Sequence, residues 1–188
     1  MYEVTSYDHL LGLKDFSDNA LNTHFKLYQG YVANTNKVAE KLKGLDSATP
    51  EYAELKRRFG WEFNGMRLHE LFFAALTKEK TKLSEKSPLY KKMEESFGSE
   101  QGCHDDFAAT ASMRGIGWAI LYQDPANGKL FNTWVNEHDA GHLGSCNILL
   151  NLDVFEHAFM LDYGTDRTSY IKAFIEAVDW AVVEKRLV

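Results

Sequence analysis

Only two cysteines, Cys103 and Cys146, occur in 188 residues, and they form no CxxC pair. A disulfide framework is therefore not expected, and two reduced thiols in a cytoplasmic setting are. Long apolar runs are missing too. None approaches the roughly 18 residues of a membrane span, so no membrane partner is expected. Positive charge is in deficit: 21 Lys and Arg stand against 27 Asp and Glu, for a net charge of −6. The basic residues are scattered and form no stripe, which argues against a nucleic-acid partner. The opening MYEVTSYDHLLGLKDF lacks the basic start and long apolar stretch of a secretory signal. Common catalytic signatures are also absent. LHELFF is not HExxH, and there is no G-x-S-x-G, Walker loop or GxGxxG. A redox role is at least as apt as metal-assisted hydrolysis.

What remains is an ordinary globular composition, 45% hydrophobic and 26% charged, long enough for one sizeable core. Leu21, His24, Tyr28, Tyr31, Thr35, Val38 and Leu42 recur at steps of three and four, predicting one face of a long helix over 15–43. GLDSATPEY breaks it with Gly44 and Pro50, and Asp46, Ser47 and Thr49 are candidate caps. Glu62, Met66, His69, Phe73 and Leu76 repeat the spacing, so the two helices read as an antiparallel hairpin. A charged segment from Thr77 to Ser99 reads as a solvated linker running into another helix. GIGWAILYQD and KLFNTWVN flank the turn DPANG, which predicts a β-hairpin, and CNILLNLDV supplies a third strand. A final helix is expected over 168–187, with Tyr170, Phe174, Val178 and Ala181 facing inward. The fold class is α+β: a helical-hairpin domain over 1–80, then an α/β domain over 81–188 with a three-stranded antiparallel sheet.

Polar residues interrupt this core pattern. Asp153 follows the apolar run ILLNL, and His157 comes four residues later among Val154, Phe155, Ala158 and Phe159. A carboxylate removed from water must be paired or must bind a metal. His24 and His69 lie in the apolar stripes of their own helices, so a hairpin turns both toward one core. Three imidazoles and one carboxylate make an N3O set that suits Fe, Mn or Zn. His9 and His104 sit in polar surroundings and read as surface residues.

At these residues the chain resembles the iron/manganese superoxide dismutases. DVFEHAFMLDYGTDRTSYIKAFIEAVDW is similar to the family's D-x-[WF]-E-H-A signature, with its Arg-x-x-Tyr and closing Trp helix. The resemblance runs nearly the whole length. It implies that His24, His69, Asp153 and His157 hold one Fe or Mn ion per subunit, with a solvent molecule as fifth ligand. It implies a dismutase whose metal cycles between M³⁺ and M²⁺, turning superoxide into O₂ and H₂O₂. It also implies a homodimer or homotetramer. Tyr31 matches the funnel tyrosine that hydrogen-bonds toward the bound solvent, and Trp118 an aromatic wall. Glu156 matches the acid that reaches the partner's ligand histidine. Arg167 and Tyr170 match residues near the funnel and interface.

The chain departs from the family at several of these positions. A glutamine usually bridges the bound solvent to the funnel tyrosine, and iron-specific members carry it where this chain has Gly65. Manganese members supply it from the sheet half, where some relatives use histidine instead; His142, eleven residues before Asp153, matches that position, while matching His138 requires a gap. Tyr28 and Met160 stand where relatives pair His and Tyr across the interface, so an apolar Tyr28–Met160 contact is expected. Phe155 replaces a commoner tryptophan. Two rivals follow: a non-enzymatic member of the fold, which loss of a ligand would mark, and a zinc hydrolase, which lacks an evident general base.

Overall fold

The computed structural model describes residues 1–188. Helix α1 spans Asp18–Lys43 and α2 spans Pro50–Ala74. The first starts later than its stripe suggests: Asp15 takes a positive φ of 65°, and Ser17 then caps the helix by accepting from Ala20 N–H. Of the three candidate caps before α2, Thr49 serves, accepting from Tyr52 N–H with Pro50 in the first turn. The two helices pack along their length as the antiparallel hairpin.

The charged segment runs without helix to residue 87 and then into α3 (Pro88–Phe97); Gly98, in the left-handed region, separates this from α4 (Glu100–Ala111). Strands β1 (Trp118–Gln123), β2 (Leu130–Val135) and β3 (Asn147–Asp153) form an antiparallel sheet in the order β2-β1-β3. All six residues of the central strand are buried. Gly117 starts it at φ 132°, and an added Cβ there would fall 2.0 Å from the Val135 carbonyl. Only glycine fits.

Helix α5 (Glu156–Tyr163) follows β3 after two residues, then α6 (Arg167–Ala177) and the short α7 (Trp180–Glu184). The expected single closing helix is thus two. Val178 is extended and bridges to Leu76, while Asp179 N–H donates to Ala75 O and Thr77 N–H to Ala177 O. Pairing with the end of α2 takes these backbone groups away from the helix. Asp179 then caps α7, which turns Trp180 and Val183 inward and leaves Ala181 exposed, contrary to its expected inner position.

One apolar cluster of 41 buried residues runs through both the hairpin and the sheet half. Two polar ties, the first fully buried and the second partly so, fix their relative height. Asn151 donates to Leu68 O at 2.7 Å, beside His69, and Arg186 donates to both Leu149 O and Leu71 O. A buried backbone carbonyl needs a partner, so these side chains set where β3 meets α2.

Candidate metal centre

Each candidate ligand comes from a different structural context. His24 and His69 project from facing turns of α1 and α2, with ring centroids 4.9 Å apart. Asp153 is the last residue of β3, and His157 lies in the first turn of α5. Their ligand atoms all lie within 4.8 Å of one another. Asp153 Oδ1 accepts Phe155 N–H at 2.9 Å, which leaves Oδ2 for the histidines. The Nε2 atoms of His24 and His157 reach it at 3.2 and 3.1 Å.

His69 decides what the cluster needs. Its Nδ1 lies 2.5 Å from Gly65 O, and a carbonyl only accepts, so Nδ1 carries the proton. Nε2 is then a bare lone pair. It is buried, 3.4 Å from Asp153 Oδ2, and makes no hydrogen bond. Two acceptors face each other with no proton between them. A cation bound by both removes that conflict, and the N3O donor set suits Fe, Mn or Zn.

The ionisation of the group follows from the same packing. Burial, with His24 beside it, holds His69 well below the usual imidazole range, and burial also lowers His24. Burial alone would raise the Asp153 carboxyl, but His157 and His24 outweigh it and hold the group far below its ordinary value. Burial pulls His157 down, yet the Asp153 charge and hydrogen bond leave it raised. An ionised carboxylate among imidazoles is ready for a cation.

Tyr31 stands one side of the cluster, seven residues after His24 on the same helix face, its ring stacked 5.1 Å from His69. The residue that meets its hydroxyl is His138, with Nε2 at 2.8 Å. The Trp118 indole N–H donates to His138 Nδ1 at 3.0 Å. Because an indole only donates, the His138 proton must be on Nε2 and is given to Tyr31 Oη. The Tyr31 hydroxyl proton is left free to point elsewhere. Burial drives His138 down to about 4, so it stays neutral, and raises the Tyr31 phenol, so it stays protonated.

His142 was expected in this place and is not there. Its Nδ1 lies 2.6 Å from Tyr122 Oη and its Nε2 2.8 Å from His138 O. Counting back from Asp153 without a gap favours 142, and the irregular loop before β3 is where that count fails. The informative signal was chemical: Trp118 needed a buried acceptor for its N–H.

The other expected residues fall into two groups. Tyr170 is buried and donates to Asp153 O at 2.8 Å, steadying the ligand's backbone. Arg167 donates to Met113 O and Gly115 O, tying down the loop before β1. With Glu156, Phe159 and Met160 it lines a surface cavity of about 480 Å³ beside α5. Glu156 is exposed there. Tyr28 does not face that side. It is 1% exposed, donates to Glu70 Oε1 and accepts Thr5 N–H, whereas Met160 is 46% exposed. The expected Tyr28–Met160 contact therefore lacks its first partner. His104, read as a surface residue, instead stacks on Trp180 at 4.8 Å.

Residues 85–186 match the family model for iron/manganese superoxide dismutases, C-terminal domain. A superoxide dismutase [Fe] of Aquifex pyrophilus is 34% identical over 99% of this chain and 92% of its own length. The chain belongs to the iron/manganese superoxide dismutases. Relatives of this dismutase carry both metals in their names. A superoxide dismutase [Mn] of Haloarcula marismortui is 34% identical, covering 93% of the chain and 86% of the relative. A superoxide dismutase [Fe] of Saccharolobus solfataricus is 32% identical over 93% and 84%. All four candidate ligands of the dismutase are present, so the mark expected of a non-enzymatic member is missing.

Proposed function

We propose that this chain is a superoxide dismutase that holds one Fe or Mn ion per subunit through His24, His69, Asp153 and His157. The observation that carries the reading is the bare His69 Nε2 facing Asp153 Oδ2 at 3.4 Å, at the centre of a four-donor cluster. An Fe or Mn ion held by these four residues would supply one-electron chemistry, by which two superoxides and two protons become O₂ and H₂O₂.

The protein's part is to place donors and protons. Tyr31 accepts from His138 Nε2–H and so keeps its own proton free for another acceptor. Trp118 fixes the His138 tautomer that makes this possible. These two contacts support His138, in place of His142, as the group that tunes the metal from the outer shell. Phe155, its ring 5.0 Å from His138 and 5.5 Å from His157, walls the site. Tyr170 and Arg167 hold the backbone around it.

The same reading makes the protein a homodimer or homotetramer in the cytoplasm. Exposed Ile116, Met160 and Leu161 near Glu156 support an interface on this face, and two free cysteines suit a reducing compartment. The chain divides near residue 80 by function, the 1–80 hairpin and the 81–188 half giving two ligands each. No helix is long and apolar enough to cross a membrane.

Metal analysis of natively purified protein, with a superoxide-consumption assay on the same sample, tests the proposal. Stoichiometric Fe or Mn with rapid consumption is expected. Zinc alone with no consumption would overturn it, because zinc does not change oxidation state.

A further inference from the structure

His138 reaches Tyr31 from an irregular loop, residues 136–146, whose only internal backbone hydrogen bond joins Cys146 N–H to Leu143 O. Such a segment does not hold an imidazole to a few tenths of an ångström by its backbone. Side chains must do it. The two histidines of the loop are four residues apart and bind in the same way. His138 Nδ1 accepts from Trp118, and His142 Nδ1 lies 2.6 Å from Tyr122 Oη. Trp118 and Tyr122 are themselves four residues apart on β1, so they project from the same face of the strand.

The proton positions on His142 follow from its partners. His138 O can only accept, so His142 Nε2–H donates to it at 2.8 Å. Nδ1 is then bare and accepts the Tyr122 hydroxyl, which burial keeps in its O–H form. The chain of bonds is directional: Tyr122 O–H to His142, then His142 N–H to the carbonyl of the residue that meets Tyr31. No other group bonds the His138 carbonyl.

We propose that His142 is a positioning residue of the dismutase: clipped to Tyr122, it holds the His138 carbonyl so that the His138 ring stays in register with Tyr31 and Trp118. This rests on the reading that His138 tunes the metal from the outer shell, and extends it to a pair of residues with no contact to the ligands. The sheet thus offers two aromatic donors, Trp118 for the ring that acts and Tyr122 for the ring that holds the loop.

The test compares His142→Ala, His142→Gln, Tyr122→Phe and His138→Ala, each loaded with manganese. The readouts are turnover, the midpoint potential and the melting temperature of the metal-free protein. A glutamine amide can both donate to His138 O and accept from Tyr122, so His142→Gln should keep turnover within about twofold. Outer-shell losses typically cost about 10–100-fold, and His142→Ala should fall near the lower end. Its potential should shift in the same sense as in His138→Ala, and adding His142→Ala to His138→Ala should shift it little further. Tyr122→Phe, which keeps the imidazole but not its donor, should lie between wild type and His142→Ala. It serves as the arbiter if the alanine variant does not fold. A lowered melting temperature with an unchanged potential in the His142 and Tyr122 variants would overturn the clip, leaving them merely structural. An unchanged potential in His138→Ala would instead remove the reading beneath it.

Discussion

The ring of Tyr31 lies flat against Gly65, so close that a Cβ on residue 65 would sit 2.6 Å from the tyrosine Cδ1. The position where iron-specific relatives carry a glutamine is therefore filled by the tyrosine itself. Gly65→Gln must displace Tyr31 and break its bond to His138. Overpacking of this kind costs about 1–3 kcal/mol, and turnover should fall about 10-fold or more. Calorimetry and a turnover assay check it. A stable, fully active Gly65→Gln protein would show that Tyr31 has room to move.

Asp153→Ala should abolish metal binding and dismutase activity together, because Oδ2 is the atom on which all three histidines converge. Metal content by elemental analysis is the direct measure. Full metal occupancy with normal turnover would exclude Asp153 as a ligand.

Removing the metal should leave a protein that is weakened by acid. The folded pKa of His138 is lowered by burial from 6.5 to about 4, so the unfolded chain binds its proton first. Stability from this group is present above pH 6.5 and is lost as pH falls toward 4. At about 1.36 kcal/mol per pH unit the loss is of order 3 kcal/mol. Burial lowers His24 and His69 in the same sense, while the raised His157 opposes them. Urea titrations of metal-free wild type and His138→Gln isolate the term. The two curves should converge at low pH, and parallel curves would mean that His138 is not buried neutral.

Glu156→Ala should weaken self-association and activity together. The carboxylate is exposed in one protomer, next to a ligand histidine and beside the cavity lined by Met160 and Arg167. Sedimentation velocity and turnover on one sample decide the matter. A normal assembly with full activity would place the interface elsewhere.

Tyr28→Phe should destabilise the protomer without altering its assembly. The hydroxyl joins Glu70 of α2 to Thr5 of the N-terminal segment, and hydrogen bonds to charged groups contribute about 1.5–3 kcal/mol. A double-mutant cycle with Met160→Tyr should be additive, since the two side chains face different surroundings. A coupling energy well above error would restore their contact.

The four-donor cluster was legible because each member is a polar group in an apolar stretch, and burial leaves such a residue few roles. The hairpin was legible because its helical periodicity survives on one face, and the strands because runs rich in Ile, Trp, Phe and Val flank a clear turn, although the central strand is buried throughout. Three features left no such trace. His138 and His142 sit in a loop without periodicity, and only the need of Trp118 for an acceptor separates them. The break at Val178 is imposed by Leu76, a partner remote in sequence. Tyr28 falls in the helical stripe whether it turns toward Glu70 or toward a second copy, so spacing alone could not choose.

The two ligands of the hairpin lie at positions 24 and 69, but the other two do not appear until positions 153 and 157. Such separation makes the centre a late event in time. Neither half of the chain alone offers more than one imidazole pair or one Asp–His pair, and contacts of this range form slowly. All four donors are together only once β3 and α5 have docked on α1 and α2, when nearly all of the chain has been synthesised. Divalent affinities at N and O sites follow a fixed order that does not separate iron from manganese sharply. Metal availability when the sheet closes therefore bears on which ion a newly made molecule carries.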